Sequence, residues 1–141
     1  MSPSSSSETG IFVLDGRISI AANLMAQEII QQGLRFDREI DMQNGWVMCA
    51  SASHLIFGQA VTATFNFYND RLKMFGFALM GDAEDTADDQ KNAHDRFLVE
   101  HFGEPLRRSE LANIHEFWWG CITSQRDPRG GTCSIEVNWR P

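Results

Sequence analysis

Thr62-Ala63-Thr64-Phe65-Asn66-Phe67-Tyr68, then Asn69-Asp70, then Leu72-Lys73-Met74-Phe75-Gly76-Phe77-Ala78-Leu79-Met80 is the stretch that decides the fold. Ala63, Phe65 and Phe67 alternate with Thr62, Thr64, Asn66 and Tyr68. A period of two is that of a strand with one face buried. Asn-Asp is a turn pair, so the two segments are expected to fold back as an antiparallel hairpin.

A second hairpin is expected toward the C-terminus. Residues 116–123 and 132–139 flank Asp127-Pro128-Arg129-Gly130-Gly131. In the last strand Cys133, Ile135, Val137 and Trp139 alternate with Thr132, Ser134, Glu136 and Asn138. Toward the N-terminus, residues 10–20 are expected to form a strand pair or one long strand, with Asp15-Gly16 as the turn signal. A helix follows from about Asn23 to Gln32, with Asn23 as its cap, Met25, Ala26, Ile29 and Ile30 as its apolar stripe, and Gly33 as its stop. Residues 44–58 suggest a short strand, a loop and a second short apolar segment. A second helix opens in the acidic run 81–90, reaches about Phe102 and stops at Gly103-Glu104-Pro105. The expected fold class is α+β: a single domain at 10–141 after a disordered polar tail at 1–9. Its antiparallel sheet has about five to six strands, with two main helices packed mostly on one face.

Composition narrows the function. The chain has 141 residues, 43% of them hydrophobic, with ten Phe and four Trp, enough to fill a core without a disulfide or metal. A formal charge of −7 repels phosphate backbones, which argues against nucleic acid and favours basic protein partners. The N-terminus has no basic or apolar signal pattern, and no apolar run approaches the ~20 residues of a membrane span, so a cytoplasmic protein without a membrane partner is expected. Cys49, Cys121 and Cys133 are odd in number and lack C-x-x-C spacing, which fits neither a disulfide framework nor a zinc site. Cys121 and Cys133 lie on either side of a hairpin turn and are expected to be neighbours.

No catalytic, cofactor-binding or metal-ligating residue is assigned. Neither G-x-S-x-G nor a Gly-rich phosphate loop occurs, and the acidic run lacks the spacing of a calcium loop. His94 and His101 are seven apart, too far for one ion on a helix, and His54 and His115 are isolated; neutral or surface roles are expected for all four.

Two surfaces remain as partner-binding candidates. Strand parity places Phe65, Phe67, Phe75, Phe77, Leu79, Phe117, Trp119, Ile135, Val137 and Trp139 on the core face. It sends Tyr68, Met74, Met80, Trp118 and Ile122 to the opposite face, around the small residues Gly76, Ala78 and Gly120. Aromatic and Met side chains are enriched at interface cores. The competing reading is that a helix or residues 34–58 cover that face. The second surface is Asp82, Glu84, Asp85, Asp88 and Asp89. Carboxylates suit a helix N-terminus, yet five so close together repel one another, which a basic partner would relieve.

Phe65-x-Phe67-x-Asn69-Asp70-Arg71-Leu72, Phe102-Gly103-Glu104-Pro105, Trp118-Trp119-Gly120 and Asp127-Pro128-Arg129-Gly130-Gly131 together resemble small bacterial proteins of the toxin-immunity kind. The resemblance spans about residues 60–140 and lies in architecture rather than in a diagnostic motif. It implies a compact non-enzymatic α+β protein that binds a basic toxin or effector domain and blocks it, and it transfers no site residues. Two other classes are kept beside it. One is a small enzyme or ligand-binding domain with a pocket between sheet and helices, lined by His94, His115 or Cys121. The other is a secretion chaperone or adaptor. Either a monomer or a homodimer fits.

Overall fold

The computed structural model of the chain describes residues 6–81, 85–129 and 131–140. A helical turn α1 (Ser6–Thr9) precedes the hairpin β1 (Phe12–Leu14) and β2 (Ile18–Ile20). The short helix α2 (Ala26–Gln31) leads to β3 (Arg38–Asp41), β4 (Trp46–Ile56), β5 (Gln59–Tyr68) and β6 (Arg71–Leu79). Helix α3 (Ala87–Phe102) then crosses to β7 (Arg107–Arg108), β8 (Ala112–Phe117), β9 (Gly120–Arg126) and β10 (Cys133–Trp139). Strands β3 to β10 form one antiparallel sheet in the order β3-β4-β5-β6-β10-β9-β8-β7. No helix among the described residues is long and apolar enough to cross a membrane.

The expected hairpin of β5 and β6 is present, and its chemistry is as the sequence suggests. Tyr68 faces Arg71 across the two-residue turn Asn69-Asp70, and both turn residues have positive φ. Such turns match the natural twist of strands, and Asn and Asp tolerate that conformation. The inner faces of β4, β5, β6, β9 and β10 meet α3, the β1–β2 hairpin and α2. A chain of rings runs through this layer: Phe65, Phe75 and Phe77 on the sheet, Phe12 above Phe75 at 5.9 Å, and Phe97 of α3 against Phe77 at 5.9 Å. Each such pair adds roughly 0.5–1.5 kcal/mol beyond the burial of its area.

The architecture corrects the expected fold class. Among the described residues the main sheet has eight strands rather than five or six, a separate two-stranded sheet stands beside it, and only α3 is a long helix. Two turns made of aromatic residues account for much of the difference. Phe57-Gly58 joins β4 to β5, with both residues at positive φ. Phe57 is held there by packing, its ring 4.5 Å from that of His101 and within 6 Å of Phe97 and Phe102. Residues 44–58 therefore hold a single long strand, β4, with a bulge between Ser51 and His54, not two short segments.

The other turn is Trp118-Trp119, which splits the expected strand 116–123 into β8 and β9, with Phe117 opposite Gly120. A two-residue turn reverses the parity of everything after it. Ile122 therefore faces Val137 inside the core at 0% exposure, not the outer face where the alternation had placed it. Gly120 is required at this hairpin, since a Cβ would lie 2.1 Å from the Asn138 carbonyl oxygen.

Two further expectations are corrected. Asn23 is not a helix cap: it has positive φ, its side chain accepts a bond from Lys73 Nζ, and α2 starts after Met25. Cys121 and Cys133 sit opposite Asn138 and Arg126, so they are not neighbours, and all three cysteines are free. His94 is wholly buried, and its burial favours the neutral ring.

Candidate docking surface

The sheet has an inner face packed by α3 and the first hairpin, and an outer face whose side chains on β10 stay half-buried. On β10 the pattern is regular: Cys133, Ile135 and Val137 are buried, while Ser134, Glu136 and Asn138 between them stay half-buried. Register extends the outer set sideways. Glu136 stands opposite Gly76 and Thr123, Asn138 opposite Met74, Met74 opposite Asn66, and Asn66 opposite Met48.

At the end of β4 and β5 this face becomes strongly apolar. Trp46 lies opposite Tyr68 with ring centroids 5.1 Å apart, and both rings remain exposed. Beside them a hollow of about 330 Å³ is walled by Met42, Trp46, Met48 and Met74. A second, also about 330 Å³, runs from Trp46 and Tyr68 over Lys73 to Trp139 and Arg140. A third connects Trp139 and Arg140 to Cys121 and Glu116. The three share walls, so together they form a continuous trough across one end of the sheet. Aromatic rings supply rigid area and methionines adapt to a partner's shape, which suits protein contact better than a small ligand.

The sequence-derived candidates divide among several places. Tyr68 and Met74 belong to the trough. Trp118 is 74% exposed at the tip of the β8–β9 hairpin, with its indole N–H donating to the Glu8 carbonyl at 2.7 Å. It thus borders the same end of the sheet from the turn rather than from the outer face. Met80 is exposed at the opposite end of β6, where it shares a depression with Asp85. Asp88 pairs with Arg126, and Asp89 closes a capping box with Thr86. These two acids therefore have structural duties at the start of α3; Asp82 and Glu84 lie outside the described residues. Trp46, Met42 and Met48 were not among the candidates. Their signal was present as an aromatic and two methionines around Asn44-Gly45, but only the pairing of β4 with β5 puts them beside Tyr68.

Two polar clusters also lay beyond sequence reasoning. Ser51 Oγ lies 2.6 Å from His54 Nε2, and His54 Nδ1 lies 2.6 Å from Asp15 Oδ2. The order is that of a nucleophile, a base and an orienting acid. The rest of the geometry is that of a fastening. Ser51 Oγ donates its one proton to the Arg35 carbonyl at 2.7 Å, Ser51 is 3% exposed, and none of the described hollows opens on it. Asp15 also accepts the Leu55 N–H at 2.8 Å, while its own N–H donates to the Leu55 carbonyl. Burial works against its charge, but the bonds from His54 and Leu55 outweigh that and hold its pKa below the usual carboxylate value. The first hairpin is thereby tied to the edge of β4.

The second cluster lies under α3. Lys91 Nζ donates to both oxygens of Asp95, and Ser124 Oγ donates to Asp95 at 2.6 Å. His94 Nε2 accepts the Leu79 N–H at 3.1 Å. Among the described residues the Nδ1 atoms of His94 and His115 have no hydrogen-bond partner. Burial lowers the pKa of both rings, that of His94 to about 4. Neither ring lines any of the described hollows. Among the described residues no group of three or more His, Cys, Asp and Glu is arranged to hold a metal.

Comparison with known proteins adds no relative: no family model, no curated protein and no solved structure matches the chain.

Proposed function

We propose that the chain is a protein-binding module that docks through the outer face of its sheet, and that it acts as an immunity factor neutralising a basic bacterial toxin or effector domain. The observation that carries the reading is the trough of Trp46, Tyr68, Met42, Met48 and Met74 on the face of the sheet opposite the one where α3 packs. Size agrees. Strands ~4.8 Å apart, eight of them, and about six residues long give a face of roughly 700 Å², near the ~800 Å² that one partner contributes to a standard interface.

Charge selects the partner. A second copy would bring another −7, so close self-association works against repulsion, whereas a basic domain is drawn in. The toxin assignment rests on the resemblance of about residues 60–140 to immunity proteins.

The test is a mixing experiment with the product of the adjacent gene. A tight 1:1 complex that loses affinity with Trp46→Ala and Met74→Asp, both folded by circular dichroism, supports the reading. Absence of a complex at micromolar concentration, or a complex indifferent to both changes, overturns it.

A further inference from the structure

We propose that Glu136 is the receptor for an arginine side chain of the protein that covers the outer face, an inference that rests on the docking reading above. Glu136 is the middle residue of β10, itself among the central strands of the sheet, so its carboxylate sits at the middle of the outer face. It is half-buried, and among the described residues it forms no ion pair. Its direct neighbours, Gly76 on β6 and Thr123 on β9, carry no charge, and its one side-chain bond is to Gln125. The charged and titratable groups near it on that face are Cys121, Glu116 and Arg140, arranged around Cys121 on the β8 side. On the β5 and β6 side Thr64, Asn66, Met74, Gly76 and Ala78 carry no charge, and Lys73, farther along β6 at the trough, donates its Nζ to Asn23 Oδ1.

Burial without a cation disfavours the ionised acid, and its pKa is raised accordingly. A partner lying over this face would desolvate the carboxylate further. A neutral covering surface would leave an uncompensated charge at the interface centre, where the cost is greatest; a cation placed there removes that cost. The surroundings favour a guanidinium over a compact ammonium. Gly76 is buried and has no side chain to separate Glu136 from Thr64. On its other side the Thr64 hydroxyl leans in, 2.7 Å from where a Cβ would stand. A planar group with five donors can reach the Glu136 carboxylate on one side and the Thr64 hydroxyl on the other.

The probe is the tripeptide amide Gly-Arg-Gly, titrated into the full chain and followed by NMR, with Gly-citrulline-Gly as its neutral isostere. The expected result is saturable binding in the millimolar range, with shifts centred on Gly76, Thr123 and Glu136. Affinity should fall by ~10-fold or more in Glu136→Gln, the loss of a charge-assisted bond, and the citrulline peptide should give no such shifts. Binding should also weaken as pH falls and the acid takes up its proton. Equal response to both peptides, or arginine shifts that persist in Glu136→Gln, overturns the inference. A toxin complex that depends on Trp46 but not on Glu136 removes the arginine site and leaves the docking face. Loss of dependence on Trp46 removes the face itself.

Discussion

Glu136 and His94 are both titratable side chains kept from water without a full set of partners, and each makes folding depend on pH. Folded Glu136 holds its proton to higher pH than it would in the unfolded chain, because burial raises its pKa and the Gln125 bond only partly offsets this. The native state therefore binds more protons in that window, and stability declines as pH rises through it. Glutamine carries no such charge. Glu136→Gln is expected to raise Tm by a few degrees at pH 7, with the advantage vanishing near pH 3, below the ordinary glutamate value, where the wild-type acid is neutral in both states. A thermal melt at the two pH values checks this, and a gain that persists unchanged in acid would contradict it. A residue that costs stability and is repaid only by a partner is the pattern of a binding group. His94 acts in the opposite sense. Burial lowers its pKa from 6.5 to about 4, so below 6.5 the unfolded chain takes up a proton that the folded one refuses. Its contribution is whole above pH 6.5 and is lost as pH falls toward 4. At pH 5 the loss is about 2 kcal/mol, from ~1.4 kcal/mol for each pH unit. Urea unfolding at pH 7 and pH 5 measures it, and His94→Gln should flatten the difference.

At the scale of elements, the bond set of Asp15, His54 and Ser51 does for β4 what a neighbouring strand would do. Strand β3 pairs with β4 only between Val47 and Ala50, which leaves the Leu55 end of the edge uncovered by strand. The turn of the first hairpin takes over there, with the Asp15 backbone and carboxylate satisfying Leu55. An unprotected edge is a template for pairing with other chains. Asp15→Ala is expected to cost about 1–3 kcal/mol, the range for leaving buried polar partners unpaired. Hydrogen exchange should quicken at Leu55 and along β1 before it does in β6. Uniform quickening would mean that the hairpin is not a separable strap. The same elements show what the sequence could and could not convey. The β5–β6 hairpin was legible because its turn, Asn69-Asp70, is made of residues that favour positive φ and its strands alternate cleanly. The β4–β5 and β8–β9 turns were not, because Phe57 and the Trp118-Trp119 pair are apolar, and their conformations are enforced by tertiary packing and by Gly58 and Gly120 beside them. One unseen turn moved Ile122 into the core, and the other hid Trp46 and Met48 from the candidate surface. Tyr68 and Met74 were found because they lie on the hairpin whose turn was visible.

For the whole molecule, charge and the apolar trough should govern different steps of association. A formal charge of −7 acts over distances comparable with the ~8 Å Debye length at physiological salt, before side chains touch. It should therefore set how fast a basic partner arrives. The trough of Trp46, Tyr68 and the methionines acts only once water has been expelled, and should set how slowly the partner leaves. Stopped-flow mixing with the adjacent gene's product separates the two. Raising salt from about 20 to about 500 mM is expected to lower the association rate ~10-fold or more while changing dissociation little. Trp46→Ala is expected to do the reverse, accelerating dissociation by ~10- to 100-fold, the usual scale for a buried aromatic anchor, with the association rate nearly constant. The acidic residues at the start of α3 lie at the far end of the sheet, and Asp88 and Asp89 are engaged by Arg126 and Thr86. Asp85→Asn should accordingly slow arrival slightly and leave dissociation untouched. If instead Asp85→Asn accelerates dissociation as strongly as Trp46→Ala, the contact surface lies at the α3 end, and the outer face of the sheet is not where the partner sits.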